Sequence, residues 1–151
     1  MILDRHALRK VLGSVYVLSF SLNFAWEMLQ MSLFRGVDWS PASWALCTAA
    51  SLGDAAFSAA AYAVLAFRHR DARWVCGRDA RDVLLVIAAG VLTSAVGEWV
   101  ARTLGWWSYS PLMPLVPGLG VGVAPLVQLA ILAVVTFEVL RALGRAHSGC
   151  D

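Results

Sequence analysis

The stretch ASWALCTAASLGDAAFSAAAYAVLAF, Ala42 to Phe67, decides the fold, because its one charged residue is Asp54. About 20 apolar residues suffice to cross the hydrocarbon core of a bilayer as a helix. Three further intervals of the same kind lie outward from it, at about 11–34, 83–104 and 121–143. Hydrophobic residues make up 60% of the 151-residue chain and charged residues only 15%, too few to coat a soluble domain of this size. The sequence therefore predicts an all-α integral membrane protein, a four-helix bundle forming one transmembrane domain over residues 1–151. A signal peptide is the competing reading of the basic start MILDRHALRK. The apolar run after it is too long for one and contains Glu27, so a retained span is expected.

Charge sets the expected orientation. Arg5, Arg9 and Lys10 precede the first interval, five arginines lie in RHRDARWVCGRDARD (68–82), and Arg145 follows the last. The other two connections, RGVDWSP and GWWSYSPLMPLVPGLG, hold a single basic residue, Arg35. The positive-inside rule then places both termini and the 68–82 loop in the cytoplasm of a multi-pass protein of the bacterial inner membrane. A net charge of +2 argues against a nucleic-acid partner. Cys47, Cys76 and Cys150 have no paired spacing, so neither a disulfide framework nor a zinc site is expected. No cofactor and no metal are expected.

Several local signals mark boundaries. Ser40 and Pro41 suit an N-cap and first helical residue for the second span. Pro111, Pro114 and Pro117 break the last outer connection. Ala55, Ala59, Gly90, Ser94 and Gly97 are small enough for close helix contacts. The run GLGVGV (118–123) follows no strand, so it reads as a bend rather than a nucleotide motif.

The chemistry sits in polar residues within the spans. Asn23, Glu27 and Gln30 share one helix face at i, i+4, i+7. Cys47, Ser51, Asp54 and Ser58 form a similar stripe on the second span, and Ser94 aligns with Glu98 on the third. Gln128 falls near the outer end of the fourth. At ~1.5 Å per residue, Glu27 and Glu98 lie roughly 10 Å below the outer surface and Asp54 about 18 Å. Four spans thus bring polar groups to the outer half of the membrane, which predicts one shared cavity. Helix-to-helix glue is the plainer reading for Asn23, Ser51, Ser94 and Gln128. Three carboxylates are harder to explain that way, because the spans hold no lysine and the nearest arginines are Arg102 and Arg35. Glu98 and Arg102 are spaced for an i, i+4 ion pair, whereas Arg35 reaches Glu27 only by folding back. Glu27 and Asp54 are left short of cations, so one is expected to be a neutral acid able to donate a proton. Glu138, three residues before Arg141, reads as a local ion pair. Trp106, Trp107 and Tyr109 are either an interfacial aromatic belt or a lid over the cavity.

These motifs carry a resemblance. Asn23/Trp26/Glu27/Gln30, Gly53/Asp54, Glu98/Trp99 and Trp107 through Gly120 resemble the N-x-x-W-E-x-x-Q, G-D, E-W and W-x-Y-S-x-x-M-P-x-x-P-G-x-G elements of an uncharacterised family of small bacterial four-span membrane proteins. That likeness covers nearly all of the membrane part and implies no activity. The family pattern has proline at Ser32 and histidine at Leu46, which removes any role for that histidine here. Two shorter likenesses do imply chemistry. The N-x-x-W-E element is similar to that of integral-membrane terpene cyclases, where a membrane-embedded glutamate is implicated in protonating a polyprenyl chain. The segment Glu27–Phe34 is similar to the E-x-x-Q-x-P-F-F element of the emopamil-binding and sigma-2 receptor family, which bind sterols and cationic amphiphiles.

The resulting expectation is an acidic, aromatic-lined pocket for a membrane lipid or hydrophobic small molecule. Glu27, Asp54 and Glu98 are its candidate acids; Asn23, Trp26, Gln30, Trp107, Tyr109 and Gln128 are its candidate binding residues. Three functions fit: acid-catalysed cyclisation or isomerisation of an isoprenoid or other lipid, ligand binding or service as an accessory subunit, and proton or cation transport. A homo-oligomer or a membrane-complex partner is compatible with each.

Overall fold

The computed structural model describes residues 3–146. Four long helices account for most of them: α1 (Arg5–Gln30), α2 (Pro41–His69), α3 (Ala80–Thr103) and α4 (Val123–Ala146). By length and composition α2, α3 and α4 are apolar enough to cross a membrane. α1 is not among them, although a crossing was expected there. Its 26 residues are long enough, but Ser14, Ser19, Ser21, Asn23, Glu27 and Gln30 dilute its apolar face. Part of that polarity is turned into the bundle, where Ser19 and Asn23 are wholly buried. Ser14 and Ser21 stay exposed and donate back to the carbonyls of Lys10 and Val17.

Capping residues explain the helix bounds. α1 starts six residues earlier than the apolar run, because the Asp4 carboxylate accepts from the backbone N–H of His6 and Ala7. Ser40 caps α2, with Pro41 in its first turn. Asp79 and Asp82 form a reciprocal capping box at the start of α3. α1 gives way to a short 3-10 turn, Met31–Leu33, and a second one, Trp74–Gly77, fills the α2–α3 connection.

α1 and α4 form the centre of the bundle. α2 packs along α1, α3 packs along α4, and α2 and α3 scarcely meet. Gly90 permits the α3–α4 approach: a Cβ there would lie 2.8 Å from the Ala130 backbone. Gly97 does not serve packing as its sequence context predicted, since a Cβ at that position would meet nothing within 4 Å.

The two ends of the bundle differ. At the arginine end, carrying the α2–α3 connection, Tyr62, Trp74 and Phe137 pack with ring centroids 5.3–5.8 Å apart. Tyr62 donates to the Ala72 carbonyl and Trp74 to the Tyr62 carbonyl, so the rings also satisfy their polar atoms. At the opposite, aromatic end, the α1–α2 and α3–α4 connections are laced together. Arg35 N donates to Ser108 O at 2.8 Å and Ser110 N to Leu33 O at 2.9 Å, around an isolated antiparallel bridge between Phe34 and Tyr109. Gly118 and Gly120, both at positive φ, turn the chain back toward α4.

The cysteine expectation is corrected at one position. Cys76 is disulfide-bonded, whereas Cys47 is free and buried. Cys150 lies outside the described residues.

Candidate functional site

A cavity of about 350 Å³ opens near the aromatic end, and Glu27, Asp54 and Glu98 all border it. α2 supplies one wall through Leu46, Cys47, Ala50, Gly53, Asp54 and Phe57. α3 supplies the facing wall through Thr93, Ser94, Gly97, Glu98 and Ala101. Because those two helices barely touch, the space between them is left to the cavity. The central pair forms its floor with Glu27 and Gln30 from α1 and Pro125, Gln128 and Leu129 from α4. Phe34, Val37, Trp106 and Trp107 close the aromatic end.

Gln128 is the hub. Its Nε2 donates toward Asn23 Oδ1 at 3.1 Å, Glu27 Oε1 at 3.0 Å and Asp54 Oδ2 at 3.0 Å. Its Oε1 accepts from Gln30 Nε2 at 2.8 Å. The Glu27 and Asp54 oxygens share one nitrogen, so they lie within twice that 3.0 Å spacing of each other. A primary amide has two hydrogens, and three acceptors compete for them. Among the described residues no arginine or histidine pairs with Glu27 or Asp54.

Below the hub the network continues through groups the cavity does not reach. Asn23 Nδ2 donates to the Ser19 carbonyl and hydroxyl, at 2.9 and 3.1 Å, and Ser19 Oγ donates to Ser58 Oγ at 2.8 Å. Trp26 Nε1 donates to Gln30 Oε1 at 3.0 Å. Asn23 and Trp26 are not among the residues that border the cavity. Helix geometry is the reason: a face wide enough to hold Asn23, Glu27 and Gln30 exposes only part of itself to a space between α2 and α3.

Glu98 has a separate set of partners. Its Oε2 accepts from the Tyr109 hydroxyl at 2.5 Å and from Trp107 Nε1 at 3.2 Å. Tyr109 in turn accepts from the Gly122 N–H at 2.9 Å. Burial, followed by the Glu98 hydrogen bond, pushes the Tyr109 hydroxyl up to about 12. The i, i+4 ion pair expected between Glu98 and Arg102 is replaced by another arrangement. Arg102 donates to the Gly120 carbonyl and sits 4.7 Å over the Tyr109 ring centroid. Arg35 also turns to the loop, donating to the Tyr109 carbonyl at 2.9 Å. Tyr109 itself does not border the cavity; it fastens Glu98 to the loop, while Trp106 and Trp107 border the space.

Ser94 behaves as helix glue, whereas Ser51 does not. Ser94 Oγ donates to the Pro125 carbonyl at 2.8 Å, joining α3 to α4, and Ser51 bonds back to the Cys47 carbonyl. Phe34, Val37, Phe57 and Thr93 border the cavity without having been singled out in the sequence. Only Phe57, three residues beyond Asp54, carried a signal, since i+3 neighbours share a face. Among the described residues, no group of three or more His, Cys, Asp or Glu side chains is placed to hold a metal ion. Comparison of the chain with protein-family models, with curated proteins and with solved structures finds no match. The functional reading therefore rests on this geometry.

Proposed function

We propose that the chain is a four-span membrane protein, α1 crossing with its polar face turned inward, which protonates an unsaturated lipid chain in a pocket of the outer leaflet. Both termini and the arginine end then face the cytoplasm, as the clustered arginines favour. The observation that carries the reading is the sharing of one neutral amide, that of Gln128, by Glu27 and Asp54. Three oxygens crowd two amide hydrogens, and a carboxyl that carries its own proton no longer needs one of them. Such a neutral acid in a water-poor space is the group that alkene protonation requires.

The step balances without a cofactor. The acid O–H bond breaks, its proton adds to one alkene carbon, and the neighbouring carbon becomes cationic. The cation then loses a proton from an adjacent carbon to the carboxylate, giving an isomer, or is attacked by a second double bond, giving a ring before that loss. Trp106 and Trp107 border the cavity, and aromatic rings in its wall favour the cationic stage. Glu27 and Asp54 are the candidate acids. Glu98, held by Tyr109 and Trp107, is better placed to fix the cover than to donate.

Deuterium exchange tests the chemistry before any product is known. Purified protein in polyprenyl-containing liposomes in heavy water is expected to place deuterium on carbon, read by lipid mass spectrometry, and Glu27→Gln or Asp54→Asn to abolish it. Wild-type incorporation by both variants, once each is shown to be folded, sinks the reading. Lipid that co-purifies stoichiometrically and exchanges no hydrogen would support the second reading, a binding protein without chemistry. The modest cavity and the hydrogen bonds that already hold its acids are compatible with that role. Transport draws less support, because the polar string from Gln128 runs through the Asn23 amide and reaches no further than Ser58.

A further inference from the structure

The geometry points to a side entrance between α2 and α3, at which the missing side chains of Gly53 and Gly97 set the width of the lipid end that can enter. This inference rests on the pocket reading above and adds the route and the size limit. Gly53, Thr93 and Gly97 are at once cavity-bordering and exposed on the outside of the bundle. The cavity wall is therefore open to the exterior there. A Cβ built on either glycine meets nothing within 4 Å, whereas one on Gly90 of the same α3 helix would strike the Ala130 backbone at 2.8 Å. Gly90 is small so that helices can touch. Gly53 and Gly97 have no such neighbour, and what they leave is free space in a wall.

Two further observations indicate what occupies that space. The exposed flanks of the opening are apolar, with Leu52 on α2 and Val96 on α3 directly beside the glycines. An opening with such a rim faces acyl chains once α2 and α3 stand in a bilayer. The second is volume. A space of about 350 Å³ is at the small end of the ~300–1,000 Å³ range of small-molecule pockets. That is one end of a lipid, not a whole one, so the remainder of the molecule must stay outside. The occupant is thus the apolar, unsaturated end of an outer-leaflet lipid. It enters sideways, reaches Glu27 and Asp54, and leaves its remaining chain among the other lipids. Trp106, Trp107 and Phe34 border the cavity at the aqueous end, where bulky rings rather than missing side chains stand in the wall.

Carbodiimide labelling of the full-length protein in liposomes tests the route. Dicyclohexylcarbodiimide dissolves in the bilayer and forms adducts with carboxylic acids; a water-soluble carbodiimide approaches from the aqueous phase. The apolar reagent is expected to modify Glu27 or Asp54, mapped by peptide mass spectrometry, and the water-soluble one to leave both intact. Gly53→Leu and Gly97→Leu should each slow the adduct ~10-fold, a small added barrier to entry. Ala49→Leu, adding the same bulk at an exposed α2 position off the cavity, should not. Unfolding temperature checks that each variant is intact.

Adducts that form equally fast in both glycine variants overturn the entrance and leave the acid reading standing, which deuterium exchange judges separately. Labelling that is faster from water, or absent with both reagents, also overturns it.

Discussion

The two ends of the bundle treat their carboxylates in opposite ways. At the arginine end, Asp82 is wholly buried and its Oδ1 lies 3.0 Å from His69 Nε2 and 3.4 Å from Arg68. Glu138 joins Arg78 across the α2–α3 connection and Arg141 on its own helix, as its spacing predicted and then one partner more. At the aromatic end Glu27, Asp54 and Glu98 are held by an amide, an indole and a phenol. Cations neutralise negative charge, whereas neutral donors only solvate it. The first end anchors its acids with charged partners, the second with neutral hydrogen-bond donors.

Substitutions can break that contrast, and the largest effect is expected at the hub. Gln128→Leu removes the partner of Asn23, Glu27, Asp54 and Gln30 at once. Each buried polar group left unsatisfied costs about 1–3 kcal/mol, so a loss of at least ~3 kcal/mol is expected in detergent unfolding. A loss below 1 kcal/mol would mean that water replaces the amide easily and that no hub exists. Next in size is Asp82→Asn, which gives up the charge in bonds to Arg68 and His69 while keeping the shape. Hydrogen bonds to charged groups contribute about 1.5–3 kcal/mol. Since Arg68 and His69 are 47% and 33% exposed, the lower part of that range is expected.

The matching change at the other end, Asp54→Asn, should cost under ~0.5 kcal/mol or stabilise, because no cation loses its partner. Equal losses for Asp82→Asn and Asp54→Asn in the same unfolding assay would erase the distinction between the ends. Tyr109→Phe should cost ~1 kcal/mol by removing the bonds to Glu98 and from Gly122 N. Hydrogen exchange should then rise in the α3–α4 connection and stay unchanged in the Trp74 region.

The smallest effect is a late titration. Tyr109 holds its proton more tightly folded, at about 12, than at its ordinary 10.0. The stability this contributes is complete below pH 10 and is lost as pH rises toward 12. Tyrosinate absorbance, compared with that of Tyr109→Phe, should show one residue titrating after exposed phenols. A Tyr109 contribution that titrates near pH 10 would place the hydroxyl in water, away from Glu98.

Much of this was legible in the sequence, and the exceptions have physical causes. Long apolar runs fix α2, α3 and α4 because few other structures suit them. Counting along the helices put Glu27, Asp54 and Glu98 at different depths of the same half of the bundle, and all three border one cavity. Hidden were the properties that depend on which helices touch. Gly97 and Gly90 look alike in sequence, yet only Gly90 meets a neighbour, since α3 packs on α4 and not on α2. Arg102 is spaced for Glu98, but a carbonyl and a ring brought by the α3–α4 connection compete for it. Asn23 and Trp26 share the Glu27 helix, and only packing reveals that Glu27 borders the cavity and they do not.

The Gln128 hub has a consequence for how the chain is made. Gln30 and Asn23 lie 98 and 105 residues before the amide that satisfies them. Ribosomes deliver the N-terminal part first. The least apolar helix therefore emerges with its amides and carboxylate uncompensated, and waits through most of translation for the last helix to arrive. Truncation anywhere before α4 strands those groups, because the amide that satisfies them is never made.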